Sequence, residues 1–121
     1  MKLKRLNERL TVCQAASMKD VDLSGPLYFI GKTDEEISLV CPTACVPAQT
    51  LAREDGWRGF RVEGTLDFSL VGILARLSAV LAEKGIAIFA VSTYNTDYIL
   101  VKEENAGRAE QALAEAGYSV S

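Results

Sequence analysis

Val62-Glu-Gly-Thr-Leu-Asp-Phe-Ser-Leu-Val-Gly-Ile-Leu-Ala-Arg-Leu-Ser-Ala-Val-Leu-Ala-Glu-Lys-Gly85 reads as a strand, a turn and a long amphipathic helix. Val62, Gly64 and Leu66 alternate with Glu63, Thr65 and Asp67, a period of two that suits a half-buried strand. From Leu70 the period changes: Leu70, Ile73, Leu74, Leu77, Val80 and Leu81 share one helical face, and Arg76, Ser78 and Glu83 lie off it. Asp67 or Ser69 is placed to cap the helix start, and Gly85 to end the helix in a left-handed conformation. The turn Asp67-Phe-Ser-Leu-Val-Gly72 offers free backbone N–H groups, the positive end of a helix dipole and a glycine that admits a small anionic ligand. Any specific function rests on this turn.

The chain has 121 residues, enough for one ordinary domain or two very small ones. Net charge is −3, and no basic stripe with interleaved aromatics appears, so nucleic acid is not an expected partner. Met1–Val12 carries Lys2, Lys4, Arg5, Glu8 and Arg9 and lacks the apolar centre of a signal peptide. The longest apolar run, Ile86–Val91, is too short to span a bilayer, so a cytoplasmic location without a membrane partner is expected. There is no histidine, which removes Ser-His and Cys-His nucleophile pairs and histidine-ligated metals. Cys13, Cys41 and Cys45 are odd in number and read as free structural thiols. Cys41-Pro-Thr-Ala-Cys45 is not the C-x-x-C of redox motifs, and three thiolates are few for a metal. Neither metal nor cofactor is expected, and no enzyme.

The rest of the chain falls into two similar halves. Leu3–Ala15 fits one or two strands, and Ala16–Gly25 one or two helical turns. Leu27–Gly31 and Ile37–Cys41 fit a hairpin turning at Thr33-Asp34-Glu35. Pro47 suits the start of a weak helix that Gly56 ends, and Trp57–Leu66 is a strand with Gly59 as its bulge or bend. In the second half, Ile86–Thr93 is a strand apolar on both faces, Tyr94-Asn95-Thr96 a turn and Asp97–Lys102 the return strand. Asn105 is placed to cap a helix with Ala106, Ala109, Ala112, Leu113 and Ala116 on its apolar side, which Gly117 ends before a short strand Tyr118–Val120. Gly25–Phe29 matches Gly85–Phe89, Thr33-Asp34 matches Thr96-Asp97, Leu39-Val40 matches Leu100-Val101, and Glu54–Trp57 matches Glu115–Tyr118, at offsets of 60, 63, 61 and 61 residues. That is the mark of a duplication.

Each half then holds a β-α-β-β-α-β unit. The fold class expected is α+β, two tandem ferredoxin-like units with antiparallel sheets and helices on one face. Asp67, Ser69 and Gly72 project onto Asn7, Arg9 and Val12, which read as strand. The first unit therefore has a short or missing first helix, and the ligand-type turn occurs once. Trp57–Leu66 closes one sheet and opens the next, which places the units at residues 1–59 and 60–121.

Asp67–Leu74, Leu77, Leu81, Gly85-Ile86 and Val91-Ser-Thr-Tyr-Asn-Thr-Asp-Tyr-Ile-Leu-Val101 resemble the ACT domain. The last stretch, with Glu36-Ile-Ser-Leu-Val-Cys-Pro42, is similar to the ACT subfamily that includes the eukaryotic cytosolic arginine sensor and short bacterial two-ACT proteins. The resemblance covers the whole chain, most strongly residues 60–118. It implies a regulatory module that holds an amino acid at an interface between ACT units. By the same resemblance, the turn Asp67, Phe68, Ser69, Leu70, Val71, Gly72 and Ile73 supplies backbone contacts. Ser92, Thr93, Tyr94, Asn95, Thr96 and Asp97 supply side chains. The chemistry agrees, because N–H groups at a helix start suit the ligand carboxylate and Asp97 or Asp67 suits its ammonium. A regulated enzyme or other protein is an implied partner, and a second copy would cover the apolar face of Ile86–Val91. Each residue also has a plain reading: Asp67 as a cap, Asp97 as a turn residue, Gly72 for packing, Ser92 and Thr93 as strand residues, Phe68 and Tyr94 as packing. On those readings the chain is a ligand-free structural or interaction module.

Overall fold

The computed structural model describes residues 1–64 and 71–121. The chain divides into two compact units, Met1–Asn7 with Arg58–Ser121 and Glu8–Trp57. The first is termed the split unit and the second the inserted unit. Strands are β1 (Lys2–Arg5), β2 (Leu10–Ala15), β3 (Phe29–Lys32), β4 (Ile37–Pro42), β5 (Ala52–Val62), β6 (Phe89–Ser92), β7 (Asp97–Lys102) and β8 (Ser119–Val120). The helices are α1 (Ile73–Glu83) and α2 (Ala106–Glu115). The fold is mixed α+β of the ferredoxin-like kind, written as tandem units.

In the split unit the sheet runs β6-β7-β5-β1-β8, β5 contributing its residues from Arg58 onward. β1 pairs antiparallel with β5, Leu3 opposite Val62 and Arg5 opposite Phe60. It also pairs parallel with β8, Leu3 opposite Val120. The sheet expected to be antiparallel throughout therefore carries one parallel pair, because β1 stands between β5 and β8 where a lone ferredoxin-like unit would join them directly. For the same reason residues 1–7 group with Arg58–Ser121. Leu3, Phe60, Val62, Ile99 and Val101 turn inward from the strands and meet Ile73, Leu77 and Leu81 of α1 and Ala109, Ala112 and Leu113 of α2 in one core. Arg5 of β1 pairs with Glu110 of α2, and that hydrogen bond holds the Glu110 carboxyl below its usual range.

Both helices stop as their sequences direct. Gly85 at φ +70° lets the Ile86 N–H reach the Leu81 carbonyl at 3.0 Å and its own N–H reach Ala82 at 2.9 Å. Gly117 at φ +99° repeats the arrangement, with Tyr118 bonded to Leu113 at 3.0 Å. Gly72 stands at the N-cap of α1, and Asp67 and Ser69, expected to cap it, lie outside the described residues. Asn105 precedes α2 but its side chain makes no cap bond and accepts instead from Arg108 at 3.0 Å. The two-sided strand expected over residues 86–93 shortens to β6, because Ile86 and Ile88 are drawn into the helix-side core.

The inserted unit has the strand order β3-β4-β2-β5, with β5 contributing residues up to Trp57. Its first helix is reduced to the single 3-10 turn Met18–Asp20, as expected. The helix expected from Pro47 to Gly56 is absent: a 3-10 turn over Thr43–Cys45 is followed by residues 46–51, room for less than two helical turns, before β5 begins. The bulge lies at Gly56, so of the bulge or bend expected at Gly59 the bulge falls three residues earlier. Leu10 opposes Trp57 and Val12 opposes Glu54, so Asp55 and Gly56 share the place opposite Thr11, with Gly56 at φ +82°. The buried Thr11 hydroxyl donates to Asp55 Oδ1 at 2.8 Å and bonds Thr43 Oγ1 at 2.9 Å. The small core is Cys13, Ala15 and Leu39, with Val21, Tyr28, Ile37 and Val46 against it.

The duplication is more regular than its residues. β3 and β6, β4 and β7, and the 3-10 turns Thr43–Cys45 and Glu103–Asn105 all correspond at an offset of 60 residues. Thr33 therefore matches Thr93 rather than Thr96, and Leu39 matches Ile99 rather than Leu100.

Candidate functional site

The expected site has two parts, and both lie in the split unit. Of the turn before α1, Asp67, Phe68, Ser69 and Leu70 lie outside the described residues. Val71 is 83% exposed. Gly72 sits at φ +81°, a conformation that costs a residue with a Cβ, and nothing lies within 4 Å of where that Cβ would stand. Its carbonyl accepts the first helical bond, from Arg76 at 2.9 Å. Ile73 turns its side chain into the core, so at that position only the backbone faces a ligand. The N–H groups of the first helical turn have no partner within the helix.

The second part is the tip of the β6–β7 hairpin. Ser92 and Asp97 are opposite one another in the last ladder pair, and the Ser92 hydroxyl donates to Asp97 Oδ1 at 2.7 Å. The Thr93 N–H donates to the Thr96 carbonyl at 2.8 Å, and its hydroxyl donates to the same carbonyl at 3.0 Å. Thr96 is buried, and its hydroxyl donates to the carbonyl of Val62, the last residue of β5, at 2.7 Å. This bond fixes the hairpin tip beside the end of β5, from which the chain leaves through Gly64 toward α1. Thr93 and Thr96 thus shape the tip. Tyr94, 79% exposed, and Asn95 stand at its apex, and Asp97 is held at its base. Sequence reasoning missed the Thr96–Val62 anchor, since a threonine beside a turn carries no signal for which distant carbonyl it will meet.

The corresponding hairpin of the inserted unit has the same frame and other chemistry. The Thr33 N–H donates to the Glu36 carbonyl at 3.0 Å, and the Thr33 hydroxyl accepts from the N–H groups of Glu35 and Glu36. Lys32 opposite Ile37 stands where Ser92 opposite Asp97 stands in the other unit. The Ser–Asp pair therefore belongs to one hairpin of the two.

An open cleft of about 190 Å³ lies elsewhere, lined by Lys84, Arg108, Gln111, Ala112 and Glu115. None of the described site residues lines it. Arg108 crosses it to donate to the Lys84 carbonyl at 2.6 Å, which satisfies a carbonyl at the end of α1. Among the described residues no group of three or more Cys, Asp or Glu is arranged to hold a metal, and no helix is long and apolar enough to cross a membrane.

Residues 52–115 match the ACT-domain family model. No curated protein matches the chain. Among solved structures, the chain is similar to protein Atu0741 from Agobacterium tumefaciens, with TM-score 0.87 and 30% identity over 99% of this chain and 91% of that one. It shares its fold with the aspartokinase alpha and beta subunits, TM-score 0.64 and 15% identity over 96% of this chain and 97% of that one. The same holds for Clostridium acetobutylicum aspartate kinase, TM-score 0.62 and 14% identity, where 94% of this chain covers 33% of the enzyme. ACT domains are regulatory, amino-acid-binding modules. With the family match spanning more than half its length, on a ferredoxin-like unit whose hairpin and helix turn are built as described, the chain belongs to the ACT-domain family.

Proposed function

We propose that this protein is a non-catalytic cytoplasmic sensor that binds an amino acid and passes its bound state to a regulated enzyme or other partner, and that it works as a homodimer. The observation that carries the reading is the β6–β7 hairpin, where an Asp97 carboxylate held by Ser92 lies below the exposed Tyr94 and Asn95. A preset carboxylate suits a ligand ammonium, and the first turn of α1 with Gly72 suits its carboxylate. A further ACT unit closes over the ligand, and binding favours the arrangement with the higher affinity. The stretches Val91–Val101 and Glu36–Pro42 support a place in the subfamily of the eukaryotic cytosolic arginine sensor and the short bacterial two-ACT proteins.

The test is thermal unfolding against the twenty amino acids, repeated on Asp97→Asn, which keeps a group for Ser92 and removes the charge. Ligand at ~100 times its Kd adds about 2.7 kcal/mol. For a chain of this size that raises the midpoint by on the order of 10 °C. A shift with one or two amino acids, lost in the variant, is the expected result. A flat panel with a folded protein favours the second reading, a ligand-free interaction module. The internal bonds of Ser92, Thr93 and Thr96 at the same tip support that reading.

A further inference from the structure

The cleft beside α2 takes no part in the hairpin site, and its hydrogen bonding is uneven. Arg108, Gln111, Ala112 and Glu115 recur at helical spacing and so share one face of α2. Lys84, just past the end of α1, adds a wall from the other helix, and the buried Ala112 is the floor. Acceptors at the Lys84 end already have donors. The Leu81 carbonyl takes the N–H groups of Lys84 and Ile86, the Ala82 carbonyl takes that of Gly85, and the Lys84 carbonyl takes Arg108 Nη2 at 2.6 Å. Asn105 Oδ1 takes Arg108 Nη1 at 3.0 Å, and Glu115 Oε1 takes Gln111 Nε2 at 3.3 Å. Donors are left over. Of the five N–H groups of a guanidinium Arg108 uses two. The exposed Lys84 ammonium makes no hydrogen bond or ion pair among the described residues.

The geometry points to a second binding site in this cleft, one that takes the oxyanion group of a small carboxylate or phosphate between Lys84 and Arg108. Two cations with unused N–H groups line an open volume of about 190 Å³, room for a small organic acid. The two bonds Arg108 already makes fix its guanidinium in place, so little freedom is lost when an anion arrives. They also neutralise the carbonyl end of α1, whose dipole would otherwise repel negative charge. Glu115 opposes binding, but it stands seven residues beyond Arg108, about 10 Å along the helix, and Gln111 donates to it. Its charge therefore bounds the far end of the cleft, away from the oxyanion.

The test is titration of the full chain with inorganic phosphate and, separately, with succinate, at constant ionic strength, followed by amide chemical shifts. Saturable shifts at residues 84–86 and 108–115, without shifts at 92–97, are expected, and the tighter of the two anions tells a phosphate ligand from a carboxylate. Lys84→Gln should weaken binding about fivefold, and Glu115→Gln should tighten it about twofold. Both positions are exposed, so the variants fold and the comparison stands. Shifts that do not saturate, that potassium chloride at the same ionic strength reproduces, that centre on the β6–β7 hairpin, or that are unchanged in Lys84→Gln overturn the proposal.

Discussion

Thr96 shows how one hydroxyl sets the geometry of a site without touching a ligand. Its bond to Val62 is buried at both ends, so Thr96→Val leaves the carbonyl unpaired and costs about 1–2 kcal/mol, while Thr96→Ser costs less. Urea denaturation midpoints of the two variants check this. The thiols and phenol of the inserted unit make a second prediction, with a definite sign. In the unfolded chain Cys41 ionises at its ordinary value of 9.0 and Tyr28 at 10.0. In the folded chain burial pushes them up to about 11 and about 12. The folded state then binds more protons than the unfolded state across that range. Their contribution to stability is fully present below pH 9 and is lost as pH rises toward 12. Unfolding free energies measured under reducing conditions from pH ~8 to pH ~11 should fall, and Cys41→Ala with Tyr28→Phe should flatten the slope. A profile that stays level in the wild type contradicts the burial of these groups.

At the scale of single elements, the glycines divide by backbone conformation. Gly85 closes α1 with a left-handed φ, and Gly85→Ala forces a Cβ into that region at a cost of about 1 kcal/mol. Gly107 lies in the first turn of α2 with helical backbone and open space around it, so Gly107→Ala raises stability by about 0.5 kcal/mol. The opposite signs of two identical substitutions, read as shifts in melting temperature, separate backbone conformation from packing. Strand β1 is short but central. Leu3 is fully buried in the core that α1 and α2 share, and Leu3→Ala is expected to cost about 3 kcal/mol in denaturant unfolding.

For the molecule as a whole, chain order and spatial order part company. A fragment of residues 60–121 contains both helices and most of the family match, yet lacks β1, which fills the place between β5 and β8. We expect that fragment to show little cooperative unfolding by circular dichroism. Residues 1–7 added as a separate peptide should restore it, since β1 pairs with both β5 and β8. Restored cooperativity without residues 1–7 would show that β1 is dispensable.

Local patterns that need only near neighbours were legible. The apolar stripe of α1, the two glycine C-caps, the β3–β4 and β6–β7 hairpins and the reduced first helix of the inserted unit all follow from periodicity, from glycine's access to positive φ, and from the residues available between strands. The second helix of the inserted unit was misread because Pro47 and Gly56 carry the marks of helix ends, while pairing of Ala52–Trp57 with β2 outweighs that local preference. Gly56 then serves as the bulge that lets Thr11 face two residues. The candidate site divides in the same way. Its turn residues are marked by type, but Thr96 reaching Val62 and Ser92 holding Asp97 depend on which strands become neighbours. That β1 stands between β5 and β8 rests on a long-range pairing, and Leu3 alternating with Lys2 and Lys4 carries no signal for its partner. Residue order specified the elements, their ends and the repeat, because those come from local geometry. Strand partnership and the hydroxyls used up in bracing the site arose from packing, because burial rewards whichever distant residues complete a core.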